Sequence, residues 1–156
     1  ILTVFGLLGI LILEFRTFKS TIIVLSVIPM GIIGALLALY ISGETLSFVA
    51  TVGIIALMGI EIKNSILMVD YTNGLREKGM NLYDAVMDGA ETRFLPILLT
   101  SLTAIGGMTP LVLENSPLIS PLAIVLIGGL ISSTLLSRLV TPVLYNLIPP
   151  KVEVNE

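Results

Sequence analysis

Five apolar stretches, separated by short polar connections, divide most of this chain: residues 1–13, 21–41, 46–71, 95–113 and 118–148. An α-helix rises about 1.5 Å per residue, so about 20 apolar residues cross a hydrocarbon core of roughly 30 Å. Lipid offers no hydrogen-bond partner, so each segment must satisfy its own backbone groups. A helix does this within each segment. Charge usage agrees: 12% of residues are charged, against about 25% in a soluble domain. The expected class is an all-α membrane protein. The first stretch reaches only roughly 20 Å, begins with Ile, and has neither the basic start nor the cleavage site of a signal peptide. It reads as a truncated span, entered partway, and the chain as part of a larger protein.

Composition removes several functions. The chain has no Cys and no His, which excludes disulfides, thiolate chemistry, Cys/His metal sites and a histidine proton switch. A net charge of −3 gives no basic face for nucleic acid. No group of residues forms a catalytic constellation, so an enzyme is not expected.

Local signals place the helix ends. Pro29 should kink the second span, and Gly31 and Gly34 permit close backbone approach. Pro96 suits the first turn of the fourth span. Residues 73–93 are too polar to span. Asn81 followed by Asp84 has capping-box spacing, and Leu82, Ala85, Val86 and Gly89 share a face. This predicts a short amphipathic helix over about 81–91, lying at the cytoplasmic membrane surface.

Connections after spans one and three, and the tail over 149–156, carry Arg16, Lys19, Arg76, Lys78 and Lys151. The opposite turns carry only Glu44 and Glu114. The positive-inside rule makes the first group, and therefore the tail, cytoplasmic.

The third span holds the unusual residues, in "GIEIKNSILMVD". Lys63 lies about 25 Å from the span's outer end. A centred Lys costs about 2.5–3.5 kcal/mol on insertion scales, so it needs a carboxylate, a water-filled cavity, or a path to the interface. Snorkelling would have to cover about 12 Å, long for one side chain. Glu61 sits roughly 200° around the helix and does not face it. Asp70 shares its face but lies two turns away. The carboxylate partner is therefore expected elsewhere in the larger protein. Glu61 is either neutral and hydrogen-bonded to Asn64 or Ser65, or open to an inner cavity. In the fourth span Arg93 and Thr100 share a face, with Thr103 one turn beyond. A Thr hydroxyl both donates and accepts, so it can join a proton chain. It can equally bond its own helix backbone while Arg93 marks the boundary. Arg138 lies near the inner end of the fifth span, where snorkelling accounts for it.

"GIEIKNSILMVDYTNGLREKG", "RFLPILLTSLTAIGGMTPL" and "LVTPVLYNL" together resemble the C-terminal membrane region of a resistance–nodulation–division efflux permease, from the end of helix eight through helix twelve. The resemblance implies a twelve-helix, proton-motive-force-driven antiporter in the bacterial inner membrane. It is expected to be homotrimeric, to work with a periplasmic adaptor and an outer-membrane channel, and to need no cofactor beyond the proton gradient. It assigns Lys63, Arg93 and Thr100 to the proton relay, with the paired carboxylates on the absent helix four. Glu61, Asn64 and Asp70 are possible modulators. Glu61 departs from the apolar or small residue of many relatives. The heavy-metal branch usually lacks the relay Lys, and the six Met show no ligand pattern, so this resemblance points to drug or amphiphile export, with no metal site here. The resemblance names no substrate-binding residue in this chain. Another proton-driven member of the superfamily, such as a protein-export auxiliary or lipid exporter, and a membrane scaffold with no transport role, are the alternatives.

Overall fold

The computed structural model describes Gly6, Gly9, Ile12, Leu13 and residues 18–150, the Arg138 side chain excepted. The expectation of a truncated first span over 1–13 falls mostly outside these residues, as do Arg16 and the tail from Lys151.

Five helices follow: α1 Phe18–Leu25, α2 Val27–Ser42, α3 Phe48–Glu77, α4 Leu82–Leu113 and α5 Ser120–Leu147. Among the described residues, four segments are long and apolar enough to cross a membrane: Phe18–Ser42, Phe48–Glu77, Leu82–Leu113 and Ser120–Ser137. The first joins α1 and α2, which meet at Ser26. Pro29 explains that joint. Its ring lacks the N–H that would bond the Leu25 carbonyl and crowds that carbonyl. The Ser26 hydroxyl donates to the Ile23 carbonyl at 2.6 Å, and the chain re-enters the helix at Val27.

Two glycines end helices. After α2, Gly43 is left-handed, with φ of 74°. Its N–H donates to the Tyr40 carbonyl and the Glu44 N–H to the Leu39 carbonyl. Gly79, with φ of 87°, repeats this after α3 onto Arg76 and Leu75. Both are Schellman closures, and a Cβ would resist the left-handed backbone.

The sequence separates a surface helix over 81–91 from a fourth span over 95–113. The structure joins them in one helix, α4. Its start is the expected cap: the Asp84 N–H donates to Asn81 Oδ1 at 2.9 Å. Pro96 does not break it. Proline costs the helix one hydrogen bond, to the Thr92 carbonyl, but the helix continues on both sides. Thirty-two residues make about 48 Å, well beyond a core of roughly 30 Å, so the polar first turns project from the bilayer.

Small residues set the packing. A Cβ on Gly34 of α2 would fall 2.6 Å from the Gly128 carbonyl oxygen of α5, and one on Gly128 would fall 2.8 Å from the Gly34 oxygen. Ser132 of α5 donates to the Met30 carbonyl of α2 at 3.0 Å. Small residues let helices approach where lipid removes the hydrophobic drive between them. The expectation for Gly34 thus holds, and its partner is α5. That helix also packs on α3 and α4, which makes it the centre of the described bundle.

Two apolar clusters result. Ala35, Leu39, Ala50, Leu57, Val125, Leu126 and Leu130 form one. Ile23, Val24, Ile62, Val69, Val86 and Tyr145 form the other. Around the level where they meet lie buried Glu61, Ser65, Ser101, Ser133 and Thr134.

Candidate functional site

The polar residues fall on two different surfaces of α3. Lys63 and Asp70 are exposed, while Glu61 is 3% exposed and turned into the bundle. This matches their angular separation on one helix.

On the outer surface, Lys63 has no carboxylate within ion-pair reach among the described residues. Two contacts set the register of α3 against α4. Gly89 lies against the Thr72 side chain, and the Arg93 guanidinium lies over the Tyr71 ring, 4.6 Å from its centroid. Carried along two antiparallel helices, these pairs put Lys63 level with residues 98–101. Lys63 and Thr100 thus lie at similar depth, without direct contact. The Thr100 hydroxyl donates to the Ile97 carbonyl at 2.8 Å and Thr103 to Leu99 at 2.8 Å. Both donors are turned to the helix backbone, and both oxygens keep lone pairs that can accept. Arg93 Nε is buried and has no hydrogen-bond partner among the described residues. The cation–π contact with Tyr71 supplies part of its stabilisation, about 0.5–2 kcal/mol.

On the inner surface, Glu61 does not bond Asn64 or Ser65, the partners expected from sequence. Its partner is Ser133 of α5, in a short contact with Oε1. Glu61 also borders a small cleft, although the residue is only 3% exposed. The cleft is mostly apolar and is lined by Val27, Met68 and Ile97 together with Glu61, Asn64, Ser65, Ser137 and Thr141. Ser65 Oγ is buried there without a partner. Next to it, Thr134 and Ser101 share a hydrogen bond of 2.9 Å. Ser101 therefore serves a link between helices. Sequence reasoning missed Ser133, Ser137 and Thr141. Their spacing of four residues, a stripe down one face of an apolar helix, was the available signal.

At one end of the bundle, Lys19 Nζ donates to the Pro149 carbonyl at 3.2 Å and Arg76 Nη1 to the Pro150 carbonyl at 2.7 Å. The Tyr145 hydroxyl bonds Asn73. Lys19 of the first connection and Arg76 of the third therefore meet the start of the tail, at the end away from the turns bearing Glu44 and Glu114.

The sequence profile of the AcrB/AcrD/AcrF family matches residues 1–149. The chain belongs to that family. It is 42% identical over 142 residues to the cobalt-zinc-cadmium resistance protein CzcA of Cupriavidus metallidurans, covering 89% of this chain and 13% of that protein. The cation efflux system protein CzcA of Alcaligenes sp. strain CT14 gives the same identity and coverage. Two crystal forms of a heavy metal efflux pump share the fold. Form II has a TM-score of 0.81 at 34% identity, covering 90% of this chain and 14% of that one. Form I has 0.76 at 36% identity, covering 84% and 14%. This AcrB/AcrD/AcrF member therefore spans about 13% of the length of its curated relatives. The superfamily expected from the motifs holds. The branch does not follow with it: the motif around Lys63 implies drug or amphiphile export, whereas these relatives are named for metal cations. Among the described residues no three His, Cys, Asp or Glu side chains are grouped to hold a metal ion.

Proposed function

We propose that this chain is the C-terminal membrane part of a proton-driven export permease, an antiporter of the bacterial inner membrane whose cargo is a heavy-metal cation. The observation that carries the antiport reading is Lys63: an ammonium group well inside a 30-residue helix, with no carboxylate partner among the described residues. Such a group defaults to function in a membrane. Carboxylates from another part of the permease, as the family resemblance implies, complete the pairing. When they are ionised, the ammonium holds them. When one takes a proton, the attraction weakens and Lys63 turns to other acceptors, which biases the helices between two arrangements. Thr100, at similar depth, and Arg93, nearer the helix start, extend the path. Asn64 and Asp70 flank it on α3. A homotrimer joined to a periplasmic adaptor and an outer-membrane channel, with the tail cytoplasmic, fits the resemblance.

The cargo reading rests on the functions named for the relatives. A second reading, export of organic amphiphiles, is favoured by the Lys63–Asn64 motif. Expression of the intact permease in an efflux-deficient host separates them. Raised tolerance to cobalt, zinc or cadmium, with unchanged accumulation of a fluorescent amphiphile, is expected. Lowered dye accumulation without metal tolerance would replace the first reading with the second. Neither effect, at normal membrane abundance, would remove both.

A further inference from the structure

Arg93 and Tyr71 meet across the interface between α3 and α4. Both are half-buried, and the guanidinium carbon lies 4.6 Å from the centroid of the Tyr71 ring. An arginine that only marks the end of a span extends its head to the headgroups. This one reaches sideways to α3, and its Nε is buried.

The contact leaves the donors of Arg93 in place. A cation over an aromatic face is held by the ring quadrupole, and no N–H is consumed. A guanidinium's donors therefore remain for acceptors. Nε–H, buried and without a hydrogen-bond partner among the described residues, is the donor for which an acceptor matters most.

The α4 backbone alone holds Arg93 less firmly than an unbroken helix would. Pro96 stands between Arg93 and Thr100 and lacks the N–H that would bond the Thr92 carbonyl. Beyond Pro96, Ser101 is tied to Thr134 of α5 at 2.9 Å. Before it, Gly89 lies against Thr72 of α3, and Arg93 lies over Tyr71. The two sides of Pro96 are thus secured to different helices. The Tyr71 ring is the contact that fixes the charged group itself to α3, the helix that carries Lys63.

We propose that Tyr71 is a positioning residue for the proton relay: its ring holds the Arg93 guanidinium beside α3, on the face that Arg93 shares with Thr100, and leaves the N–H groups for an acceptor on the path. The inference rests on the relay reading of Arg93.

The test is cargo-coupled proton flux through the intact permease in proteoliposomes, at equal reconstituted amounts, with zinc or the fluorescent amphiphile as cargo, whichever the permease exports. Tyr71→Phe keeps the ring face and should run at near-normal rates. Replacing Tyr71 by mono-, di- and trifluorinated phenylalanine keeps the shape while draining negative charge from that face. Flux should fall stepwise along the series, by about 3- to 10-fold at its end, with the KM for cargo unchanged. A merely structural ring would give one rate throughout. Arg93→Gln should abolish the flux. A flat series beside a lost flux in Arg93→Gln would overturn the role of Tyr71 and leave the relay standing. Full flux in Arg93→Gln would remove the relay reading of Arg93 and the role of Tyr71 with it. Loss of flux already in Tyr71→Phe would also overturn the proposal, since the hydroxyl and not the ring would then be what matters.

Discussion

Thr100 donates its hydrogen to the Ile97 carbonyl, so at rest its oxygen can only accept from a neighbour. A relay through Thr100 requires that hydrogen to swing outward, which costs one backbone bond of about 0.5–1.5 kcal/mol. Under the relay reading, Thr100→Ser should export at near-normal rates. Thr100→Ala should lose roughly 3- to 10-fold, because a water substitutes in part; rates of cargo export in cells, normalised to membrane abundance, measure it. Equal, full rates for both would leave the hydroxyl a purely backbone role. The residues most legible in the sequence are those that violate their surroundings. Lys63 stands out in an apolar run whatever it contacts. Ser133 does not, since a serine in a membrane helix ordinarily bonds its own backbone. Its partner, Glu61, is 72 positions away, and nothing local announces the pair. Glu61 was legible as an anomaly, but its partner came only with the packing of α5 on α3.

Helix α5 owes its central place to Gly128, Gly129 and Ser132. Replacing Gly128 by Val should force α2 and α5 apart, because the added atoms meet the backbone oxygen of Gly34 and the side chain of Ala38. Overpacking of this kind costs about 1–3 kcal/mol or more. A lower Tm of the purified permease and reduced membrane abundance are expected; an unchanged Tm would mean that the helices do not approach as closely as described. Asn81→Ala removes the cap on the Asp84 N–H and should cost about 1 kcal/mol, read as faster amide exchange in the first turns of α4. The start of α4 at Asn81 was readable because capping is local, whereas the left-handed closures at Gly43 and Gly79 were not singled out. The continuity of α4 was not readable. Composition changes sharply near Arg93, from polar to apolar, and suggests two elements. The helical backbone does not depend on that change, and Pro96 removes one hydrogen bond without ending the ladder.

Across the whole molecule, α4 presents a long apolar face that the described helices leave uncovered: Leu95, Leu99 and Leu102 are 60%, 55% and 54% exposed. The direction of the bundle is testable by single cysteines at Glu44, Lys78 and Glu114. With a membrane-impermeant thiol reagent on intact spheroplasts, positions 44 and 114 should label and position 78 should not; the reverse pattern would invert the orientation taken from the loop charges. The measurement that bears most directly on the proposed function is proton flux through the intact permease in proteoliposomes carrying a pH gradient. Cargo-dependent proton movement is expected from the unaltered protein. It should vanish in Lys63→Met, a change that removes the charge, keeps much of the length and eases insertion. Full cargo-coupled proton flux in Lys63→Met, at equal reconstituted amounts, would contradict the relay and leave Lys63 as a snorkelling side chain.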